Sequence, residues 1–252
     1  MSNSSLVSYT RLSPNHSGAR THRVDRITPH CVVGQCSVEG LGATFGSSAR
    51  QVSSQYGIGA DGRVGLYVDE KNRSWCSSSP ENDQRAITIE CASDAKPPYA
   101  FNAVVYAKLV ELCTDICRRY GKTKLLWLGD KAKTLSYVPA DNEMVLTVHR
   151  WFANKSCPGD WMYARMGELA KKVTEKLGGG SLLYRVQLGA FTESRNADAL
   201  AKKLKAAGFE SYVIKAGSFY KVQTGAFGQK GNAEKLAEKL SKAGFGGAYI
   251  TT

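Results

Sequence analysis

The sequence predicts two α/β units in tandem, a larger domain whose sheet is covered by helices and a small βαββαβ module behind a glycine-rich break. Three observations predict this arrangement. Short β-branched runs alternate with a long amphipathic helical pattern up to about residue 177, Gly178-Gly-Gly-Ser181 interrupts all periodicity, and the text after the break repeats itself 36 positions later.

Residues 1 to 26 carry Ser, Asn, Pro, His16, Gly and His22 without periodicity and are expected to form an irregular arm. The stretch from Arg26 through Ile27-Thr-Pro-His30 to Gln35 has the apolar and β-branched content of a buried strand. Asp61-Gly62, between apolar segments, is a hairpin signal. Ala86-Ile-Thr-Ile-Glu90-Cys91 is a second short strand that carries one carboxylate inward. From Pro98 to Tyr120, Phe101, Val104, Val105, Leu109, Leu112, Cys113, Ile116 and Cys117 recur at three- and four-residue spacing, which predicts a helix that Gly121 closes. Leu125 to Leu128 reads as a strand, and Trp161 to Leu177 as the helix ending the domain. The expected boundaries are 1–177 for the larger domain, 178–182 for a flexible linker and 183–252 for the module.

Within that module, Tyr184-Arg-Val-Gln-Leu-Gly-Ala-Phe191 and Ala-Gly-Phe209 recur as Tyr220-Lys-Val-Gln-Thr-Gly-Ala-Phe227 and Ala-Gly-Phe245. Each unit reads strand, helix, strand, with Asn196 or Asn232 expected to cap its helix and both helices on one sheet face. Strand alternation turns Val186 toward the helices, so Arg185, Gln187, Lys221 and Gln223 are expected on the open face as a ligand platform.

A formal charge of +12 favours an acidic partner such as nucleic acid, an anionic membrane surface or an anionic wall polymer, and both halves of the chain are basic. No apolar run is long enough to span a bilayer, and the first ten residues lack the basic and apolar regions of a secretory signal, so storage in the cytoplasm is expected. Seven cysteines, an odd number lying mostly at apolar positions, read as reduced core thiols.

His149 and Cys157 lie eight positions apart around a loop that also holds Lys155, a soft nitrogen and sulfur pair of the kind zinc prefers. A catalytic zinc needs a third protein ligand. Of the remaining histidines, His30 sits in the strand, and His16 and His22 in the arm.

Four separated motifs, Ile27-Thr-Pro-His30, Val52 through Val64, Ala86 through Glu90, and His149 with Lys155-Ser-Cys157-Pro-Gly159, resemble the type 2 N-acetylmuramoyl-L-alanine amidases. Their order matches that family over most of residues 20 to 170. The resemblance implies a mixed central sheet flanked by helices, zinc on His30, His149 and Cys157, Glu90 as general base, and Lys155 as a lysine that some members use. Members related to phage lysozyme-amidases carry a catalytic Tyr before a His-aromatic pair, whereas this register reads Ser54-Gln55-Tyr56, which leaves Glu90 the larger role. The repeated tail resembles the SPOR domain, which implies that Gln187, Gln223, Arg185 and Lys221 bind peptidoglycan glycan strands. Together these resemblances imply a peptidoglycan hydrolase of the endolysin type that is held in the host cytoplasm until release to the wall. Two rivals stand beside that reading. A non-catalytic peptidoglycan receptor would not need two histidines and a cysteine, and a nucleic-acid-binding module would need the aromatic core motif that the tail lacks.

Overall fold

The structure is a computed structural model that describes residues 3–179, 184–227 and 230–251. It separates into two compact units that meet in sequence after Gly179. Of the expected linker only Gly178 and Gly179 are described, at the end of a widened helical turn over Glu175–Gly179, and residues 180–182 and the module's expected first residue lie outside the described residues.

The first unit contains, in chain order, β1 (Val7–Thr10), β2 (His16–Ala19), β3 (Arg26–Cys31), α1 (Val38–Phe45), β4 (Tyr56–Ile58), β5 (Val64–Leu66), β6 (Asn72–Ser74), α2 (Pro80–Arg85), β7 (Ala86–Cys91), α3 (Ala103–Arg119), β8 (Lys124–Leu126), α4 (Lys131–Ser136), β9 (Glu143–Leu146), α5 (Asp160–Tyr163) and α6 (Met166–Thr174). Seven strands form one sheet in the order β1-β5-β4-β7-β3-β9-β8, and β2 pairs with β6 in a small separate ribbon. Only the β4–β5 hairpin within the large sheet is antiparallel, so the sheet is mixed, as expected. Its turn is the Asp61-Gly62 signal: Gly62 adopts φ +82°, and the Asp61 carboxylate accepts from the Arg63 backbone at 3.0 Å.

The arm expected to be irregular instead contains, among its described residues, two short strands. Val7–Thr10 joins the sheet edge and His16–Ala19 the ribbon, while Asn15, almost fully buried, donates to the carbonyls of Phe45, Ser47 and Val52. These short strands escape a periodicity test because their partners lie more than fifty residues away. α3 buries Val105, Leu109, Leu112, Cys113, Ile116 and Cys117 against the sheet, and Asn102 caps it through the Val105 N–H. Val104, expected on that apolar face, falls on the outer side and is 53% exposed. Burying this face together with that of α6 stabilises the unit by roughly 25 cal/mol per Å² of apolar surface removed from water.

The second unit runs β10 (Tyr184–Phe191), α7 (Ser194–Ala206), β11 (Ser211–Ala216), β12 (Phe219–Phe227), α8 (Lys230–Lys242) and β13 (Tyr249–Thr251). The sheet order is β11-β12-β10-β13, wholly antiparallel. Val186 and Val222 of the central strands meet Ala197, Leu204, Ala233 and Leu240 of the two helices in one core. Both helices close alike: Gly208 and Gly244 take φ +85° and +87°, and Phe209 and Phe245 return their N–H groups to Leu204 and Leu240 at 2.9 Å. The asparagines do not cap as expected. Glu193 occupies the cap of α7 and Asn196 lies inside its first turn, while Asn232 lies within α8, because each helix starts two residues before its asparagine.

Candidate active site

β7, β3 and β9 are parallel neighbours, and the carboxyl ends of such strands are where an α/β sheet presents its loops. Each contributes one group there. His30 and Glu90 are register partners near the ends of β3 and β7, and His149 opens a single helical turn three residues after β9. Cys157 returns on the following loop, whose backbone is folded back by the Arg150 N–H to the Cys157 carbonyl at 3.1 Å. Arg150 further clamps that loop through the Ser156 carbonyl, through Asp160 at 2.9 Å and by stacking on Tyr163. Gly159 ends it at φ +82°, where a β-carbon would stand 2.8 Å from Tyr99 Cβ and 2.9 Å from the Pro98 carbonyl, so only glycine fits.

Below the cluster, Thr28 Oγ1 and Thr147 Oγ1 lie 2.7 Å apart, Asn82 Nδ2 donates to Thr28, and Thr147 donates to Asn82 Oδ1 at 3.0 Å. This buried triangle ties β3, α2 and the end of β9 together and fixes the spacing of the groups above it. A satisfied polar network of this kind rigidifies its surroundings.

One ligand atom each of His30, His149 and Cys157 can be drawn so that all lie within 4.8 Å of one another. Cys157 Sγ stands 3.3 Å from His30 Nδ1, and the two imidazole rings meet edge to face with centroids 5.1 Å apart. His30 is completely buried and its Nε2 reaches no hydrogen-bond partner among the described residues. Ser78 Oγ lies 2.9 Å from His149 Nε2 and orients that ring.

Electrostatics favours a bound cation. Burial, and then the neighbouring His149, hold His30 well below its usual value, and burial and then Lys155 lower His149, so both imidazoles are neutral donors at pH 7. The adjacent Cys31, burial and the charge of Glu90 push the Cys157 thiol well up, so a cation is what would make its thiolate favourable. Two neutral nitrogens and one sulfur are a zinc donor set, and the residues present fit that ion. A second set, His30 with Cys76 and Glu90, is equally compact. Its Cys76 thiol is held well above its ordinary value by burial and then by Glu90, as the Cys157 thiol is held up by Cys31 and burial, so thiol acidity does not separate the two sets.

Glu90 stands beside the first donor set. Its Oε1 lies 3.9 Å from His30 Nδ1 and 3.7 Å from Cys76 Sγ, and its Oε2 has no partner among the described residues. Burial pushes its carboxyl up to about 7, against the hydrogen bond from Cys76. A cavity of about 570 Å³ opens above, lined by Glu90, His149, Lys155 and Cys157 as well as by Cys31, Cys36 and Cys76. The structure thus brings together His30, Glu90, His149, Lys155 and Cys157. Tyr56 faces elsewhere, donating to Glu70 at 2.6 Å in the core. Ser78, Cys76 and Cys31 escaped the sequence reading: serine and lone cysteine carry no spacing signal, although Cys31 is adjacent to His30.

On the tail sheet, Arg185, Lys221 and Gln223 line one shallow cavity with Tyr212 and Ile214. The expectation of outward-reaching glutamines needs correction. Gln187 and Gln223 are 2% and 5% exposed, because Gln223 Nε2 donates to Gln187 Oε1 at 3.2 Å and Gln187 Nε2 donates to Tyr249 at 2.5 Å. Register sets Tyr212, Gln223, Gln187 and Tyr249 in one row across all four strands, and the tyrosines of the edge strands are its exposed members. The alternation of Tyr212 with Val213 and Ile214 was the signal that could have found them.

The first unit therefore carries a candidate metal centre of nitrogen and sulfur donors beside a carboxylate on a mixed α/β sheet. Residues 19–160 match the family model described as N-acetylmuramoyl-L-alanine amidase, and residues 182–251 match the SPOR domain model. This chain belongs to the N-acetylmuramoyl-L-alanine amidase family and carries a C-terminal SPOR domain. Among solved structures, the peptidoglycan binding domain of the B. subtilis cell wall lytic enzyme CwlC is 48% identical over 27% of this chain and 86% of that one, with a TM-score of 0.26. The Staphylococcus aureus hydrolase AmiA, solved with its ligand, is 13% identical over 68% of this chain and 82% of that one, with a TM-score of 0.50, a likeness of fold. PlyL is 15% identical over 66% and 95%, with a TM-score of 0.48. A search among curated proteins returns no significant match. Among the described residues no helix is long and apolar enough to cross a membrane.

Proposed function

We propose that the chain is a zinc-dependent endolysin that cleaves the amide between N-acetylmuramic acid and the L-alanine of the stem peptide, acting on the wall after release from the cytoplasm of its host. One observation carries this reading: His30, His149 and Cys157 converge beside the half-buried Glu90, whose Oε2 has no partner among the described residues, in a chain of the amidase family. His30, His149 and Cys157 would hold the ion, and zinc, when bound, supplies Lewis acidity and lowers the pKa of water toward about 7.

Glu90 Oε2, without a partner among the described residues, accepts the proton of the attacking water and delivers it to the leaving L-alanine nitrogen. Its raised pKa suits both halves of that task, since the group both accepts and releases a proton near neutrality. Lys155, on the cavity rim, sets its ammonium against the negative charge that grows on the lactyl carbonyl oxygen. Ser78 holds the His149 ring in place while this happens.

The tail row of Tyr212, Gln223, Gln187 and Tyr249, with Arg185 and Lys221 beside it, binds glycan strands, tyrosine faces stacking on sugar rings and the flanking cations meeting polar edges. Tethering raises the concentration of wall around the first unit. Mass spectrometry of sacculi digested by the purified chain tests the reading, with metal content measured on the same preparation. Free lactyl ends, new L-alanine amino termini and about one zinc per chain are expected. Cut glycosidic or peptide bonds would reject it.

A further inference from the structure

Arg26 opens β3 and is 5% exposed, yet its guanidinium reaches only one hydrogen-bond acceptor among the described residues, the amide oxygen of Asn82 at 3.3 Å. That oxygen is shared with Thr147. The neighbouring carboxylate, Asp25, is already engaged by Arg85 in a two-point pair at 2.8 and 2.6 Å. A buried guanidinium without a carboxylate is costly, and the cost is relieved when an anion arrives.

Arg26 faces a cavity of about 530 Å³ that Arg85 and Lys131 also line. Glu81 is the one carboxylate on its wall, exposed at the rim and engaged by the Ser79 hydroxyl at 3.0 Å. Three cations against one acid make the cavity an anion acceptor. It adjoins the amidase site, because Ser78, whose hydroxyl meets His149, lines it, and so does Trp151, two residues beyond His149. Four steps of strand lead from Arg26 to His30, roughly 13 Å of backbone.

We propose that this cavity is a carboxylate subsite in which Arg26, with Lys131 at the rim, takes a free carboxylate of the stem peptide while the scissile amide lies at the His30 end of the same strand. The proposal rests on the amidase reading, and its logic is chemical. The sugar units of the substrate are neutral and the muramoyl lactyl group is consumed in the amide, so the anionic groups available are those of the peptide. Arg85 stays with Asp25 and contributes field without a direct contact.

Calorimetric titration tests it with the full chain carrying Glu90→Gln, to prevent turnover. The titrants are a muramoyl tripeptide with free carboxylates and the same tripeptide with carboxamides. The carboxylate form should bind about tenfold more tightly, the worth of one charge-assisted hydrogen bond. Adding Lys131→Gln, at an exposed position, or Arg26→Gln should shrink that preference to about twofold or less. Thermal melts show whether Arg26→Gln folds, and Lys131→Gln carries the test if it does not. Equal affinities for the two tripeptides, or a preference untouched by Lys131→Gln, overturn the proposal. It is equally overturned if inorganic phosphate binding is lost in Arg26→Gln while the carboxylate preference persists, since the cavity then serves a phosphate-bearing polymer. Failure of the amidase reading shows separately, as intact tripeptide after incubation with the wild-type chain.

Discussion

The two units solve recognition in opposite ways. The first gathers its working groups from distant sequence, the buried His30 and the half-buried Glu90, His149 and Cys157, and sets them in a recess at the ends of three parallel strands. The second spreads its groups across one sheet face, each strand supplying a member of a row that the internal repeat nearly duplicates, Gln187 and Gln223 being 36 positions apart. Depth lets a few groups be held neutral or shifted in pKa, which chemistry needs. Breadth offers many weak contacts, which suits a polymer. Single substitutions should therefore be catastrophic in the first unit and graded in the second.

The largest expected effect is in the donor set. Cys157→Ser should lose zinc and roughly 10³-fold in wall-lytic rate, the several kcal/mol of charge stabilisation a metal supplies, while still binding sacculi in a pull-down. Retained zinc with normal lysis would remove Cys157 from the site. Glu90→Gln should keep zinc and lose roughly 10²-fold or more in turnover. In the wild-type chain the rate should rise with pH as Glu90 loses its proton, with a midpoint below the value of about 7 that burial gives the metal-free carboxyl, because a bound cation favours the carboxylate. A flat profile from pH 5 to 8 would assign the proton transfer elsewhere.

The graded side of the comparison comes next. Tyr249→Ala or Tyr212→Ala should weaken sacculus binding about fivefold to tenfold each, the scale of a stacking contact, with turnover of a soluble muramoyl peptide unchanged. A complete loss from either change would mean that the tail has a focal site after all. The smallest effect is on stability. Because the folded-state pKa of Glu90, about 7, exceeds its ordinary 4.5, the folded chain binds the extra proton between these values. In chelated protein this group therefore costs stability as pH rises from 4.5 through 7, by roughly 3 kcal/mol at most. Glu90→Gln should then melt several degrees above wild type at pH 8 and alike at pH 4.5. Identical melting at both would show that the carboxylate is better solvated than its burial implies.

Much of this was legible in the residues. The hairpin at Asp61-Gly62, the strand carrying His30, the helix capped before Ala103 and the repeated βαβ units all announce themselves through local pattern. The five groups of the candidate site were also legible, though only by likeness to a family, since spacing alone left the third ligand open. What stayed hidden depends on long-range pairing. β1 and β2 have partners more than fifty residues away, Ser78 turns to His149 across 71 positions, and Gln187 is covered by a tyrosine 62 residues on. Arg26 looks like an ordinary strand-opening charge until its neighbours show that Asp25 is already taken.

The pairing of β1 with β5 at one margin of the sheet has a practical consequence. β5 has no other neighbour on that side, and the Ser4 N–H bonds the Tyr56 hydroxyl at 2.8 Å just inside it. A chain trimmed of its first ten residues would present β5 as a bare ribbon of unpaired amides, the surface on which copies of a protein stack into aggregates. The short β1 covers the edge of β5, so removing it should raise self-association.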